Sequence, residues 1–297
     1  MRKIVAIVCL VVFSIGCAPK KAGTIVFQTD FGLKDGAVSA MKGVATMVDP
    51  SLKLYDLTHE IPAYNIWEAA YRLEQTAQYW PSGTVFVSVV DPGVGTERKS
   101  VVLKTKSGHY FVTPDNGTLT LISESLGIES LREIDSISNR RQGSSASYTF
   151  HGRDVYAYTA AKLASGTISF EQVGKELPPQ VIKVSYQKAE LSGNEVKGNI
   201  PILDIQYGNI WTNIPDSLIK VAGIKYGDSL SVSIQLKDSL VYSGKTVLAH
   251  TFGEVNEGSV LAYFNSLMNF SVAINMGSFA EKFHVASGPE WKISVKK

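Results

Sequence analysis

The sequence predicts an α/β protein in two parts. The first is an N-terminal α/β sandwich-like domain with a mostly parallel sheet, over residues 24–185. The second is a smaller C-terminal antiparallel, β-barrel-like domain, over residues 190–297. Three observations lead there. Strand-like and helix-like runs alternate through the first half, the pattern of a parallel sheet with helices on its faces. From Val181 onward the runs are short and alternating, broken by "SGNE", "YGN" and "SGK", with no convincing helix pattern. The first three strand-like runs each end in an acid or an acid–histidine pair.

The elements follow in order. "TIVFQ" reads as a strand leading into "TDFG", and "DGAVSAMKGVATMV" has apolar residues at helical spacing with Pro50 soon after. "LKLYDL" is the second strand, running into "THEIP", and a helix is expected from Tyr64 to Tyr79, before Pro81. "TVFVSVV" is the third strand and ends at Asp91; "SVVLKTK" and "HYFVTPD" are further strands, and "RDVYAYTAAKLASG" a later helix. Open α/β sheets bind ligands beyond the carboxyl ends of their strands. Asp30, Asp56 with His59, and Asp91 therefore mark one edge as a site, although each acid alone could serve as a helix cap or turn residue.

Composition narrows the function. At 297 residues and 44% hydrophobic content the chain can bury one large core or two ordinary ones. The first residues, "MRKIVAIVCLVVFSIGC", combine a short basic start, an apolar stretch too short to span a membrane, and small residues before Cys17. They read as an export signal over residues 1–17, resembling a bacterial lipoprotein signal with Cys17 as the lipidated residue. A membrane-anchored, exported protein, periplasmic or at the cell surface, is the expected location. Without Arg2 and Lys3 the chain carries 27 basic against 27 acidic residues, and with no basic run nucleic acid is not an expected partner. Both cysteines, Cys9 and Cys17, lie in the leader, which leaves the folded part no disulfide, thiol nucleophile or cysteine metal site.

The chemistry centres on "SVVDPGVGTERKS". It is not a phosphate loop, because no Gly-Lys-Ser/Thr follows and no helix starts there, and it lacks the third glycine of a dinucleotide fingerprint. No nucleophile elbow of a serine hydrolase is present. A metal site from Asp30, Asp56 and His59 lacks a spaced histidine pair and is the weaker reading; no metal is expected. What remains is a water-positioning set. An aspartate paired with an arginine stays ionised and oriented, and can aim a water's lone pair at an electrophile. Asp91 and Arg98 supply that pair. His151, beside Gly152 in "FHGRD", is the best third member, with His59 as the alternative.

Six motifs, "TDFGLKDGAVSAMKG", "DLTHEIP", "GTVFVSVVDPGVGTER", "TPDNG", "FHGRD" and "YGNIWTNI", occur in the order of the S-adenosylmethionine hydroxide adenosyltransferase family, which the chain resembles from Thr24 almost to its end. The family is related to fluorinating and chlorinating enzymes. The resemblance implies displacement of L-methionine from the 5′ carbon of S-adenosyl-L-methionine by water, with that molecule as substrate and no further cofactor. It also implies a homotrimer with sites between subunits. The family's water-handling residues fall on Asp91, Arg98 and His151; halide-using relatives lack this set, which favours water here. By the same resemblance Asp30 grips the ribose hydroxyls, Asp204 receives the methionine ammonium, Tyr207 forms an aromatic wall and Asn209 recognises adenine. Asp35 and Ser266 match further contacts at the methionine end. Ala37, Ser39, Tyr158 and the stretch "NSLMNFSVAIN" depart from the family pattern, as does the export signal. An exported lipoprotein that binds an adenosyl ligand without significant turnover is the alternative.

Overall fold

The computed structural model describes residues 23–297, so Cys17 and the leader lie outside the described residues. The first part runs β1 (Thr24–Thr29), α1 (Ala37–Val48), β2 (Lys53–Thr58), α2 (Ile66–Ala77), β3 (Val85–Val89), β4 (Ser100–Thr105), β5 (Tyr110–Pro114), α3 (Thr120–Ser125) and β6 (Ile128–Glu133). A π-helix (Gly152–Ala157) then continues into α4 (Tyr158–Ala164), and a short β7 (Glu176–Leu177) closes this part. Its seven-stranded sheet has the order β2-β1-β3-β5-β4-β6-β7. The four strands β2, β1, β3 and β5 are parallel, and β4, β6 and β7 extend the sheet antiparallel.

Period-2 geometry explains the continuous apolar runs of β1 and β3. Ile25, Phe27, Val85 and Val87 pack on one face against Met41 and Ala45 of α1 and Ala160 and Ala161 of α4. Val26 and Phe86 face the other way, against Leu73 and Ala77 of α2 and Ile122 of α3. Both faces are covered, as a parallel sheet requires. α2 starts at Asn65, whose side chain accepts the Glu68 N–H. α1 has no side-chain cap on Gly36, but the Asp35 carboxylate accepts the Ala37 N–H at 2.8 Å.

The second part contains β8 (Glu190–Ser192), β9 (Glu195–Asn199), β10 (Ile202–Asp204), β11 (Asn209–Pro215), α5 (Asp216–Val221), β12 (Ser229–Leu236), β13 (Ser239–Leu248), β14 (Val260–Phe264), β15 (Asn269–Ile274), α6 (Phe279–Phe283) and β16 (Trp291–Lys296). They form a nine-stranded sheet, β10-β11-β15-β14-β13-β12-β16-β9-β8, antiparallel except for β13 and β14. One feature differs from the sequence expectation. Short helices α5 and α6 are present; each spans too few residues to show a helical apolar period. The sheet curls without closing into a barrel: β9 comes beside β11, and the Asn213 side chain, not a ladder, accepts the Asn199 N–H at 2.7 Å. Gly198 permits that approach, since a Cβ there would lie 2.5 Å from Ile214.

The chain between the sheets is strapped down. Ile182 N–H donates to Asp115 and Val184 N–H to Thr120, and the Trp67 indole donates to the carbonyl of Pro201, between β9 and β10 of the second part. Among the described residues no helix is long and apolar enough to cross a membrane.

Candidate active site

The strand order places β1 between β2 and β3, so the crossover from β1 to β2 runs one way and that from β2 to β3 runs back the other, which opens a crevice at the carboxyl ends of β1 and β3. Asp30 follows β1 and Asp91 lies just beyond β3. Both line a cavity of ≈ 250 Å³ with Phe31, Tyr64, Val94 and His151.

Arg98 grips Asp91 with two donors. Nε donates to Oδ1 at 2.7 Å and Nη2 to Oδ2, with both side chains largely shielded. This fork-to-carboxylate pairing fixes the carboxylate plane. The loop between them turns back through Val94 N–H to the Asp91 carbonyl and Thr96 N–H to the Gly93 carbonyl. Gly95 sits at φ 81°, a conformation that favours glycine. A second layer holds the guanidinium: Nη1 donates to Ser100 Oγ at 2.8 Å, which lies 3.0 Å from the buried Tyr156 hydroxyl.

His151 completes the cluster. Its Nδ1 is 3.3 Å from Arg98 Nη2. An arginine has no acceptor, so Nδ1 must accept, and the imidazole proton sits on Nε2, a buried atom without a protein partner. Burial first, then Arg98 and Arg140, push the imidazole below its ordinary pKa, which keeps it neutral. The neighbouring π-helix explains how one segment reaches Arg98 twice. Its i→i+5 bonding stacks His151 and Tyr156, which an α-helix would splay by about 140°. Gly152 lets the Phe31 and Phe150 rings close in, as a Cβ would lie 3.3 Å from each.

Asp30 Oδ2 accepts the Tyr64 N–H at 2.9 Å. Tyr64 itself is exposed and held at φ 68°, a costly state for a bulky residue that the cavity wall uses to present its ring. Nothing in the sequence marks Tyr64, because its position depends on backbone conformation. Asp35 is exposed and lines an adjoining hollow with Phe31, Thr149 and Phe150.

The other expected residues lie elsewhere. Asp204, Tyr207, Asn209 and Ser266 line a larger cavity of ≈ 1020 Å³ in the C-terminal part, which shares no lining residue with the Asp91 cavity. Asp204 and Asn209 are brought opposite each other by the β10–β11 pairing. Gly208 at φ 67° makes that turn, where a Cβ would lie 2.0 Å from Ser278 Oγ. Asn265, not singled out by the sequence, is 5% exposed; its Oδ1 accepts the Leu267 and Asn269 N–H groups, which fixes the amide and leaves Nδ2 unpartnered beside the cavity. His59, the alternative third member, does not line the Asp91 cavity. It is buried and bonded to Thr29 and Asp56, away from the cavity lining. The metal reading of Asp30, Asp56 and His59 fails on placement: among the described residues no three His, Cys, Asp or Glu side chains converge as a metal site.

Comparison with known proteins covers both parts of the chain. The profile of the SAM hydroxide adenosyltransferase N-terminal domain covers residues 25–174, and that of the C-terminal domain covers residues 198–292. The chain belongs to the SAM hydroxide adenosyltransferase family. Within this family it is 36% identical over 261 residues to the (R)-S-adenosyl-L-methionine hydrolase of Methanocaldococcus jannaschii, covering 86% of each chain. It is 31% identical to the enzyme of the same name from Salinispora tropica, over 91% of this chain and 97% of that one. A fluorinase from Nocardia brasiliensis is 26% identical over 91% of this chain and 96% of its own. Among solved structures, an uncharacterized conserved protein of Thermotoga maritima superposes with a TM-score of 0.82 at 34% identity, covering 92% of this chain and all of that one.

Proposed function

We propose that this adenosyltransferase-family chain hydrolyses S-adenosyl-L-methionine to adenosine and L-methionine. The observation that carries the reading is the Asp91–Arg98–His151 cluster beside Asp30 at the crevice between β1 and β3. The 5′ carbon bears a sulfonium, so the leaving group departs as a neutral thioether and needs no acid. The protein has to supply an oriented water and the right approach. Asp91 accepts a hydrogen bond from that water and turns its lone pair toward C5′, while neutral His151 donates through Nε2 to the same oxygen or its neighbour. As the C5′–O bond forms and the C5′–S bond breaks, the water gives up one proton, for which Asp91 is the adjacent acceptor. Asp30 holds the ribose hydroxyls with its free oxygen.

Asp204, Asn209, Tyr207 and Ser266 bind the adenine and methionine ends in the second cavity, and Asp35 contacts the methionine end from the first part. One molecule that touches both sets is accommodated when the Asp91 cavity of one copy faces the Asn209 cavity of another. A homotrimer of that kind is the assembly we infer. We also propose lipidation at Cys17 and an exported, membrane-anchored location; multiple acyl chains on one cysteine hold firmly where one chain does not.

Incubation of the mature chain with each sulfonium epimer, with and without chelator, tests the activity. Adenosine and methionine in equal amounts, unaffected by chelator, are expected. The relatives' names specify the (R) form, which should react faster. Bound but unchanged substrate would instead favour the adenosyl-binding lipoprotein, and chelator sensitivity a metal-dependent reaction.

A further inference from the structure

Asp56 and His59 are strand-end residues that the water-handling cluster leaves unused. They are nonetheless the centre of a continuous chain of hydrogen bonds. Lys42 Nζ, from α1, donates to Asp56 Oδ2 at 2.6 Å. Asp56 Oδ1 lies 2.9 Å from His59 Nε2, and His59 Nδ1 lies 2.9 Å from Thr29 Oγ1. Thr29 Oγ1 in turn accepts the Phe31 N–H at 3.2 Å. The ionised Asp56 carboxylate can only accept, so the His59 Nε2–H donates to it, and in the neutral imidazole this leaves Nδ1 to accept from the Thr29 hydroxyl. A register shift between Phe27 and Gln28 along the β1–β2 pairing accompanies the arrangement, with Phe27 opposite Asp56 and Gln28 opposite Thr58.

An acid, a histidine and a hydroxyl in line resemble a nucleophile relay, but this one cannot act as such. Thr29 is fully buried, lines neither cavity, and its oxygen is occupied by the Phe31 N–H. What the chain does touch is the turn that carries Asp30. Thr29 precedes Asp30, Phe31 follows it, and the His59 carbonyl accepts the Gly32 N–H at 2.8 Å. Beyond His59, the same loop delivers the Tyr64 N–H onto Asp30 Oδ2. The turn after β1 is thus clamped to the turn after β2 on both sides of the carboxylate.

We propose that His59, held by Asp56 and Lys42 and holding Thr29, is a positioning residue that sets the Asp30 carboxylate for the two hydroxyls of a ribose. The inference rests on the reading of Asp30 as the ribose contact. Burial works against the Asp56 charge, but the hydrogen bonds from Lys42 and His59 outweigh it and hold the carboxyl below its usual range, so the anchor stays ionised.

The test is calorimetric binding of adenosine and of 2′,3′-dideoxyadenosine to the full chain and to Thr29→Val, His59→Gln and Asp56→Asn. The wild type should prefer adenosine. Each variant should lose about tenfold of that preference, with dideoxyadenosine affinity unchanged, since a small misplacement of a binding group is costly. A merely structural role would weaken both ligands alike, and that result would overturn the inference. Thermal unfolding accompanies each variant. Should the buried changes unfold the chain, Asp56→Asn, at a partly exposed side chain, carries the test. A wild type that does not distinguish the two nucleosides would overturn the ribose reading itself. A wild type that does, with variants that still do, would overturn only the role of His59.

Discussion

In the proposed reaction the carboxylate of Asp91 and the imidazole of His151 act on one water, and Arg98 touches both. Because Arg98 can only donate, it takes up the acceptor nitrogen of His151 and one lone pair on each Asp91 oxygen, which leaves the carboxylate further lone pairs for a water. Asp91→Asn keeps the shape but removes the charge that orients water. It should leave S-adenosyl-L-methionine bound while lowering turnover by roughly 10²–10⁴-fold, measured by single-turnover kinetics. If His151 donates to the water as proposed, it should set the acid limb of the pH profile. Its neutral form is required, its pKa is depressed by burial and by Arg98 and Arg140, and activity should therefore persist below the ordinary histidine value of about 6.5 before falling as pH drops through the lowered one. Arg140→Gln removes one of the positive neighbours, so the pKa rises and the acid limb of kcat/KM should move to higher pH. A limb that stays in place would detach His151 from the reaction.

Short segments carry the site, and they differ in how much of them a sequence displays. The loop from Asp91 to Arg98 was legible because the acid, the two glycines and the arginine fall within one short stretch and each residue type has a physical purpose there. The strand-end acids were legible for a similar reason: parallel strands announce themselves by apolar runs, and polar residues that end them stand out. The π-helix was not. It differs from an α-helix by a backbone hydrogen-bond register, which no residue in "HGRDVYA" specifies, yet it brings Tyr156 as well as His151 to Arg98. Asp154 anchors this segment: fully buried, it takes donors from Arg141 and Arg153 and is held below its usual pKa range, burial being outweighed by those two partners. Asp154→Asn leaves two half-exposed guanidinium groups short of a partner and should cost about 2–4 kcal/mol in denaturant unfolding. In the C-terminal part the turn at Gly208 plays the corresponding role. Gly208→Ala meets Ser278 and a disfavoured φ, so affinity for adenosine should fall more than turnover at saturation.

The assembly of these parts was the least visible in the sequence. Nothing in residue order says that Asp30 and Asp91 share one cavity while Asp204, Asn209 and Ser266 line another, because that separation arises from two sheets folding on their own cores. If sites form between copies, the two sets can be damaged in different chains. Asp91→Asn and Asn209→Ala chains, each inactive alone, should on mixing and reassembly recover about one quarter of wild-type activity, the fraction of interfaces that pair two undamaged halves. No recovery would place both sets in one chain's site. The central claim is attack by water at the 5′ carbon, and the most direct measurement is product analysis in ¹⁸O-labelled water. Mass spectrometry should find one ¹⁸O on the 5′ oxygen of adenosine and none in methionine. Unlabelled adenosine, or label recovered in the amino-acid product, would contradict it.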